Sequence, residues 1–199
     1  MKRLILDAAK DLFARDGFDN VSVRKIAAKI DYSPAALYRY FKNKEDLILS
    51  LRSEGMNKFA RMQEHLSEIK DPFERLKEGG RIYLDYAHRE PEYYDLLFNR
   101  SVPSFCDPDK WIGKPRKNFT DFRETVRECI ETGELGNVSV NVAVASLWAS
   151  VHGLAALVAN GRLKGLMPEL DIAEELEAIL DFITTPLIER IGHKCEENS

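Results

Sequence analysis

The sequence predicts an all-α protein of about nine helices, an N-terminal three-helix domain carrying a helix-turn-helix followed by a larger helical domain. Three observations carry that expectation. Apolar residues recur at helical spacing in almost every long segment, and no window shows sustained period-two alternation. Helix starts are marked by a capping side chain followed by proline, at Ser33-Pro34 and again at Asp71-Pro72.

The first helix follows from Leu4, Ile5, Ala8, Ala9, Leu12 and Phe13, one apolar stripe that Gly17 ends in a left-handed conformation. Ser22 caps a second helix that turns Val23, Ile26, Ala27 and Ile30 inward. Asp31-Tyr32 breaks the pattern, and a very short third helix runs from Pro34 to about Tyr40. A long helix is expected from Lys44 or Glu45 to about Ile69, and a fifth from Asp71-Pro72 to about Arg89. Pro91 to Asn99 is a separate or kinked segment, because the residue before a proline avoids helical geometry. Residues 101–115 hold Pro103, Pro108, Gly113 and Pro115 and read as irregular, a segment able to act as a mobile lid. A helix from about Pro115 to Ile130 is closed by Gly133 and Gly136. Ser139 caps a long apolar helix that Gly161 closes, and a last helix spans Asp171 to about Ile191, kinked or broken at Pro186.

Composition narrows the function. A net charge of −4 over 199 residues excludes a generally basic nucleic-acid coat. The charge is uneven: residues 1–50 hold 10 Lys/Arg against 7 Asp/Glu, a balance of +3, and the remainder stands at −7. A basic first quarter on an acidic body fits one end that meets a polyanion. Cys106, Cys129 and Cys195 are too far apart for a CxxC pair and read as idle thiols in a reducing, cytoplasmic compartment. No signal peptide is expected, since Leu4-Ile5 leads straight into Asp7, Lys10 and Asp11. Val140 to Ala159 carries no charge over 20 residues and is long enough to cross a bilayer. Asn141, Ser146, Ser150, His152 and Gly153 interrupt it, however, and its many alanines add little to insertion, so burial among other helices is expected. No enzyme, cofactor or metal site is expected. His65, His88, His152 and His193 lie far apart, and no HExxH, GxSxG, Walker loop or GxGxxG is present. His65 and His88 could meet on facing helices, but two histidines do not define a metal site.

The segment Val21 to Leu47 is the informative one. Two short helices joined by a tight turn, the second opening on Ser33-Pro34, have the layout of a helix-turn-helix. Ile26, Ala27, Ile30 and Leu37 are sized to lock the two helices together. Tyr38, Arg39, Tyr40, Lys42 and Lys44 crowd one end, where hydroxyls and amines suit phosphates and a guanidinium suits the paired acceptors of guanine. Ser22-Val23-Arg24-Lys25-Ile26-Ala27 and Leu37-Tyr38-Arg39-Tyr40-Phe41-Lys42-Asn43-Lys44-Glu45-Asp46-Leu47, with Ala8-Ala9, Leu12-Phe13 and Gly17-Phe18 before them, resemble the N-terminal domain of the TetR family of transcriptional regulators. One departure is Asp31, where the family often has glycine. Aspartate tolerates left-handed geometry, so the turn should survive.

The resemblance implies a DNA-binding domain over 1–47. Within it, Ser22, Tyr38, Tyr40 and Lys44 would contact phosphates, and Arg24, Ala35, Ala36 and Arg39 would face base edges, with Ser33 beside them. Ser22 and Ser33 serve equally well as helix caps, Tyr40 and Phe41 as core, and Lys42 as a solvated charge. Residues 48–199 resemble the family's regulatory domain through Leu147-Trp148, His152-Gly153-Leu154, Gly161-Arg162-Leu163 and Glu92-Tyr93-Tyr94-Asp95-Leu96-Leu97-Phe98. That implies a ligand-binding and dimerisation domain: a homodimer on a palindromic duplex operator, most simply a repressor, controlled by a small-molecule effector and not associated with a membrane. Small residues in the Ser139–Asn160 helix, with the apolar face of the last one, suit a four-helix dimer interface. Tyr83, Tyr86, Phe98, Phe105, Trp111, Phe122, Trp148 and His152 are the candidate effector residues, and core is the competing role for each. They suit a largely apolar ligand in a pocket of roughly 300–1,000 Å³. A helical small-molecule carrier or enzyme with an incidental helix-turn-helix, and a protein-interaction module, are the alternatives that salt-dependent duplex binding would exclude.

Overall fold

The computed structural model describes residues 1–107, 109–110 and 117–196, with side chains through Thr184. It is all-α, with ten α-helices among the described residues. In chain order they are α1 (Lys2–Asp16), α2 (Val23–Lys29), α3 (Pro34–Tyr38), α4 (Lys44–Met62), α5 (Pro72–Arg89), α6 (Pro91–Tyr94), α7 (Lys117–Glu131), α8 (Val140–Ala159), α9 (Arg162–Leu166) and α10 (Ile172–Glu196). A 3-10 turn, Glu64–Glu68, follows α4, and a π turn, Asp95–Asn99, follows α6. The chain forms two compact units, one of residues 1–58 with 90–114, the other of 59–89 with 115–199.

The first unit is built on α1. Its stripe buries Ile5, Leu6, Ala8, Ala9, Leu12 and Phe13. Gly17 ends it at φ 77° and ψ 164°, with its amide donating to the Phe13 carbonyl at 2.9 Å. That region of backbone space is open only to glycine, so the stop is firmer than the left-handed one expected, and it lies elsewhere in ψ. Ile26, Ala27 and Leu37 are buried, as are Phe41, Leu47, Ile48 and Leu51, and α2 packs on both α1 and α3. Each large aliphatic side chain so buried contributes about 1.5–3 kcal/mol. Asn43 caps α4 by accepting from the Asp46 amide at 2.8 Å, and Asp46 Oδ2 accepts from the Lys42 amide at 2.9 Å.

Helix α6 packs on α1 within the same unit. Here the Tyr93 hydroxyl donates to Glu54 Oε1 at 2.8 Å, and Lys58 pairs with Glu90 at 2.6 Å. Burial and the Glu54 carboxylate push the Tyr93 hydroxyl well above the ordinary tyrosine range.

In the second unit α5 packs on α7, α8 and α10. Leu76, Val126, Cys129, Leu135, Ala143, Val144 and Leu147 form its core. Burial pushes the Cys129 thiol up to about 12, which makes it an inert core residue. Asp171 caps α10, accepting from the Ala173 amide at 2.8 Å. Helix α10 is tied to α5 by Lys77–Asp181 at 3.2 Å and by the Arg81–Glu177 pair.

Four expectations change. The long fourth helix stops at Met62 and tightens into the 3-10 turn instead of running to Ile69. Helix α9, which starts after Gly161 and contains Gly165, is additional. The last helix runs on through position 186, so proline there marks no break. Helix α8 is long and apolar enough to cross a bilayer, with mean hydropathy 1.8; one side packs on α5 and α7, but only 22% of its apolar window is buried within the chain, less than the burial expected.

Candidate functional site

The helix-turn-helix is assembled by local chemistry. Ser22 Oγ accepts from the Lys25 amide at 3.2 Å, and Ser33 Oγ accepts from the Ala36 amide at 3.3 Å. Both serines are therefore caps, and each keeps an exposed hydroxyl proton to give. Asp31 sits at φ 57°, the left-handed geometry the turn requires. The Tyr32 amide donates back to the Ala27 carbonyl at 3.0 Å, which closes the turn between α2 and α3.

Around this frame the basic residues fall into two groups. Arg15 pairs with Asp16, Lys25 with Asp16 at 2.5 Å, and Lys29 with Asp11 at 2.7 Å. Two cations hold the Asp16 carboxyl well below the usual carboxylate range. Arg24, Arg39 and Lys42 are exposed, and among the described residues none has a carboxylate within ion-pair distance. Tyr38 is 54% exposed and Tyr40 45%, large apolar rings that an isolated helix end has no reason to present to water. Ala35 is exposed beside them, and Ala36 is half-buried under its cap. The short helix α3 and the residues after it thus display one unneutralised guanidinium, an ammonium and two phenols, and Arg24 on α2 adds a second guanidinium. That set suits a polyanion with readable edges.

Lys44 differs from this group. It is half-buried, and its Nζ lies 3.9 Å above the centre of the Phe105 ring. Desolvation lowers its proton affinity. Nothing in the sequence signals this placement, because the two residues are brought together only by the path of the chain after α6.

The candidate effector residues divide between the units. Phe98 and Phe105 belong to the first, where Phe98 packs on Tyr94 with ring centres 5.4 Å apart. Tyr83, Tyr86, Phe122, Trp148 and His152 belong to the second, and Trp111 lies outside the described residues. In the second unit a run of rings passes from Phe122 through Phe119, Trp148, His152, Tyr83 and Phe59 to Tyr86, with successive centres 5.1–6.3 Å apart. Phe59 and Phe119, which are not among the candidate effector residues, complete it. Tyr86 is wholly buried, whereas Phe119 and Trp148 are exposed, so the run leads from core to surface. Tyr83 Oη and His152 Nδ1 are 3.0 Å apart. His65 Nε2 faces Glu78 at 3.2 Å.

Burial holds the His152 pKa below its ordinary 6.5. The folded chain therefore prefers the neutral ring, and the unfolded chain binds the extra proton first as pH falls. The stability carried by neutral His152 is complete above about 6.5 and is lost as pH drops from there through the lower folded value. His152→Phe is expected to flatten the difference in denaturant midpoint between about pH 7.5 and 5. An undiminished difference would assign that pH dependence to other groups.

Residues 5–51 match the family described as bacterial regulatory proteins, tetR family, and residues 76–183 match the tetracyclin repressor-like C-terminal domain. The chain belongs to the TetR family. The Bacillus subtilis fatty acid metabolism regulator protein is 40% identical to this TetR-family chain over 73 residues, 36% of the chain and 38% of the relative. The match thus spans well under half the length of that curated relative. Among solved structures, the transcriptional regulator FadR from Bacillus subtilis, in complex with stearoyl-CoA, superposes with a TM-score of 0.71 at 20% identity over 92% of this chain and 98% of that one. AibR, in complex with isovaleryl coenzyme A and operator DNA, superposes with a TM-score of 0.68 at 23% identity over 82% and 96%. At these identities the likeness is one of fold.

Proposed function

We propose that this TetR-family chain is a homodimeric repressor that reads a palindromic operator and leaves it when a small, largely apolar effector binds. Residues 1–47 take the DNA-binding role and 48–199 the ligand-binding and dimerisation roles. The compact unit that holds the helix-turn-helix also takes in Glu90–Lys114. It acts by binding and not by turnover, in the cytoplasm with its DNA. The observation that carries this reading is the display of Arg24, Tyr38, Arg39, Tyr40 and Lys42, with no carboxylate within ion-pair distance of the three cations among the described residues. Ser22 joins them through its remaining proton.

Acyl-CoA thioesters are the effector class with the strongest support. One structural neighbour holds stearoyl-CoA and another holds isovaleryl coenzyme A together with operator DNA. An apolar acyl chain also suits the ring run that ends at exposed Phe119 and Trp148.

The test is to enrich bound fragments from a random duplex pool, then titrate the enriched duplex with protein and add acyl-CoA thioesters of increasing chain length. One palindromic sequence released by a subset of chain lengths is expected. A pool that yields no preferred sequence would overturn the reading. On the enriched duplex, Arg39→Ala is expected to lose about 1–3 kcal/mol and to relax preference at one base pair of each half-site. Lys42→Ala should weaken all sequences alike and lower the salt slope by about one. Equal losses on all sequences for Arg39→Ala would move that residue to the backbone contacts.

A further inference from the structure

After the π turn the chain does not leave the helix-turn-helix unit. Arg100 pins it there: its guanidinium donates to the Ala14 carbonyl at 3.0 Å, pairs with Asp95 and lies 5.8 Å from the centre of the Phe18 ring. The next residues run without helix, folded once where the Cys106 amide donates to the Pro103 carbonyl at 2.9 Å. They are tied at two points. The Ser104 hydroxyl donates to Asp19 Oδ1 at 3.0 Å, in the loop before α2, and the Asp107 amide donates to Glu45 Oε1 at 2.9 Å, in the first turn of α4. Lys110 adds an ion pair to Glu45 at 3.6 Å. These two anchor points flank the helix-turn-helix on either side in sequence.

Between the anchors, Cys106 is buried and Phe105 is not. The Phe105 ring is 36% exposed and its contact of note is the Lys44 ammonium, 3.9 Å above its face. Among the described residues Lys44 has no carboxylate within ion-pair distance; the ring is its close partner, and Asp19 acts on it only from further off. A cation over a ring is a weak, reversible pairing. A charge-assisted hydrogen bond to a phosphate oxygen is stronger.

We propose that residues 101–107 form a strap in which Phe105 competes with a DNA phosphate for the Lys44 ammonium, so that Phe105 sets operator affinity. The inference rests on the operator reading above. It makes the structure described the restrained form, in which one phosphate contact per protomer is withheld. Any change that lifts Phe105 off Lys44 raises affinity without altering any base contact.

The test measures binding of the full chain to a labelled duplex enriched from a random pool, over a range of salt. Phe105→Ala is expected to tighten binding about fivefold per protomer contact and to steepen the salt slope by about one. Phe105→Leu, which keeps apolar cover and removes the π face, should do the same. In a Lys44→Ala background neither substitution should have any effect. Unchanged affinity and slope in Phe105→Ala, or a gain that persists without Lys44, would overturn the strap while leaving the operator reading standing. A parent protein that binds no duplex overturns the operator reading itself.

Discussion

Ala149→Glu is expected to convert the protein to a monomer and to weaken operator binding by about a hundredfold or more. The reason lies in which side of α8 its own unit leaves open. Ala143, Val144, Leu147 and Ala155 are buried, while Val142, Ala145, Trp148, Ala149 and Gly153 are exposed. Only 22% of this charge-free helix is buried within the chain. Ala145, Ala149 and Gly153 follow one another at four-residue spacing, and a Cβ added at Gly153 would meet nothing within 4 Å. A stripe of small side chains edged by Val142 and Trp148 lets a second helix approach closely. On α10, Phe182 at 76% exposure extends the apolar surface. Because Ala149 is exposed in the single chain, a glutamate there leaves the protomer fold intact. In a dimer it buries an unpaired charge from each copy, at several kcal/mol. Operator affinity falls with it, since two linked recognition helices reach two half-sites at millimolar effective concentration and a lone one does not. Sedimentation velocity at micromolar protein, with far-UV circular dichroism as the fold control, reads the result. A dimer that survives Ala149→Glu with its helicity intact would place the interface on another face.

What the sequence made legible is the chemistry that acts within a few residues. Ser22 and Ser33 cap their helices by bonds to amides three residues on, and Asp31 adopts the positive φ that its short side chain tolerates. Such features depend on local spacing, and spacing is visible in a string of letters. Lys44 shows where this stops. By charge patterning it reads as a solvated phosphate contact, yet its ammonium lies on a ring 61 residues further along the chain. The aromatic residues behave the same way. Tyr83 and His152 are 69 residues apart and meet at 3.0 Å, while Phe98 and Phe105, equally aromatic, belong to the other compact unit. No periodicity distinguishes the two groups, because membership is decided by the path of the chain. Helix α9 was hidden for a different reason: Gly161 stops α8 in the left-handed region as its type suggests, but Gly165 inside the next turn disfavours helix, and packing of buried Leu163 outweighs it.

Arg52→Met is expected to cost about 2–4 kcal/mol of stability, the largest loss for any single polar side chain in the first unit. Arg52 is only 8% exposed, on the buried face of α4. Its Nη1 donates to the Leu96 carbonyl at 2.8 Å and to the Leu97 carbonyl at 3.4 Å. Those carbonyls belong to the π turn Asp95–Asn99, which ends as the Arg100 amide donates to the Asp95 carbonyl at 3.1 Å. The last carbonyls of a helical turn have no partner within it, and here the side chains of Leu96 and Leu97 are themselves buried. Water is a poor substitute there, and Arg52 supplies a charge-assisted donor to both. Methionine fills the volume of the aliphatic stem and supplies no donor, which isolates the hydrogen bonds from the packing. Arg52→Lys keeps the charge and a donor but on a more strongly hydrated, differently placed head, and should recover about half of the loss. Urea denaturation gives the magnitude. Amide exchange gives the place: protection should fall first in residues 91–100, because this bond joins α6 and its π turn to α4. An Arg52→Met protein within about 0.5 kcal/mol of the parent, with unchanged protection in that segment, would show that the turn is held by its apolar side chains alone.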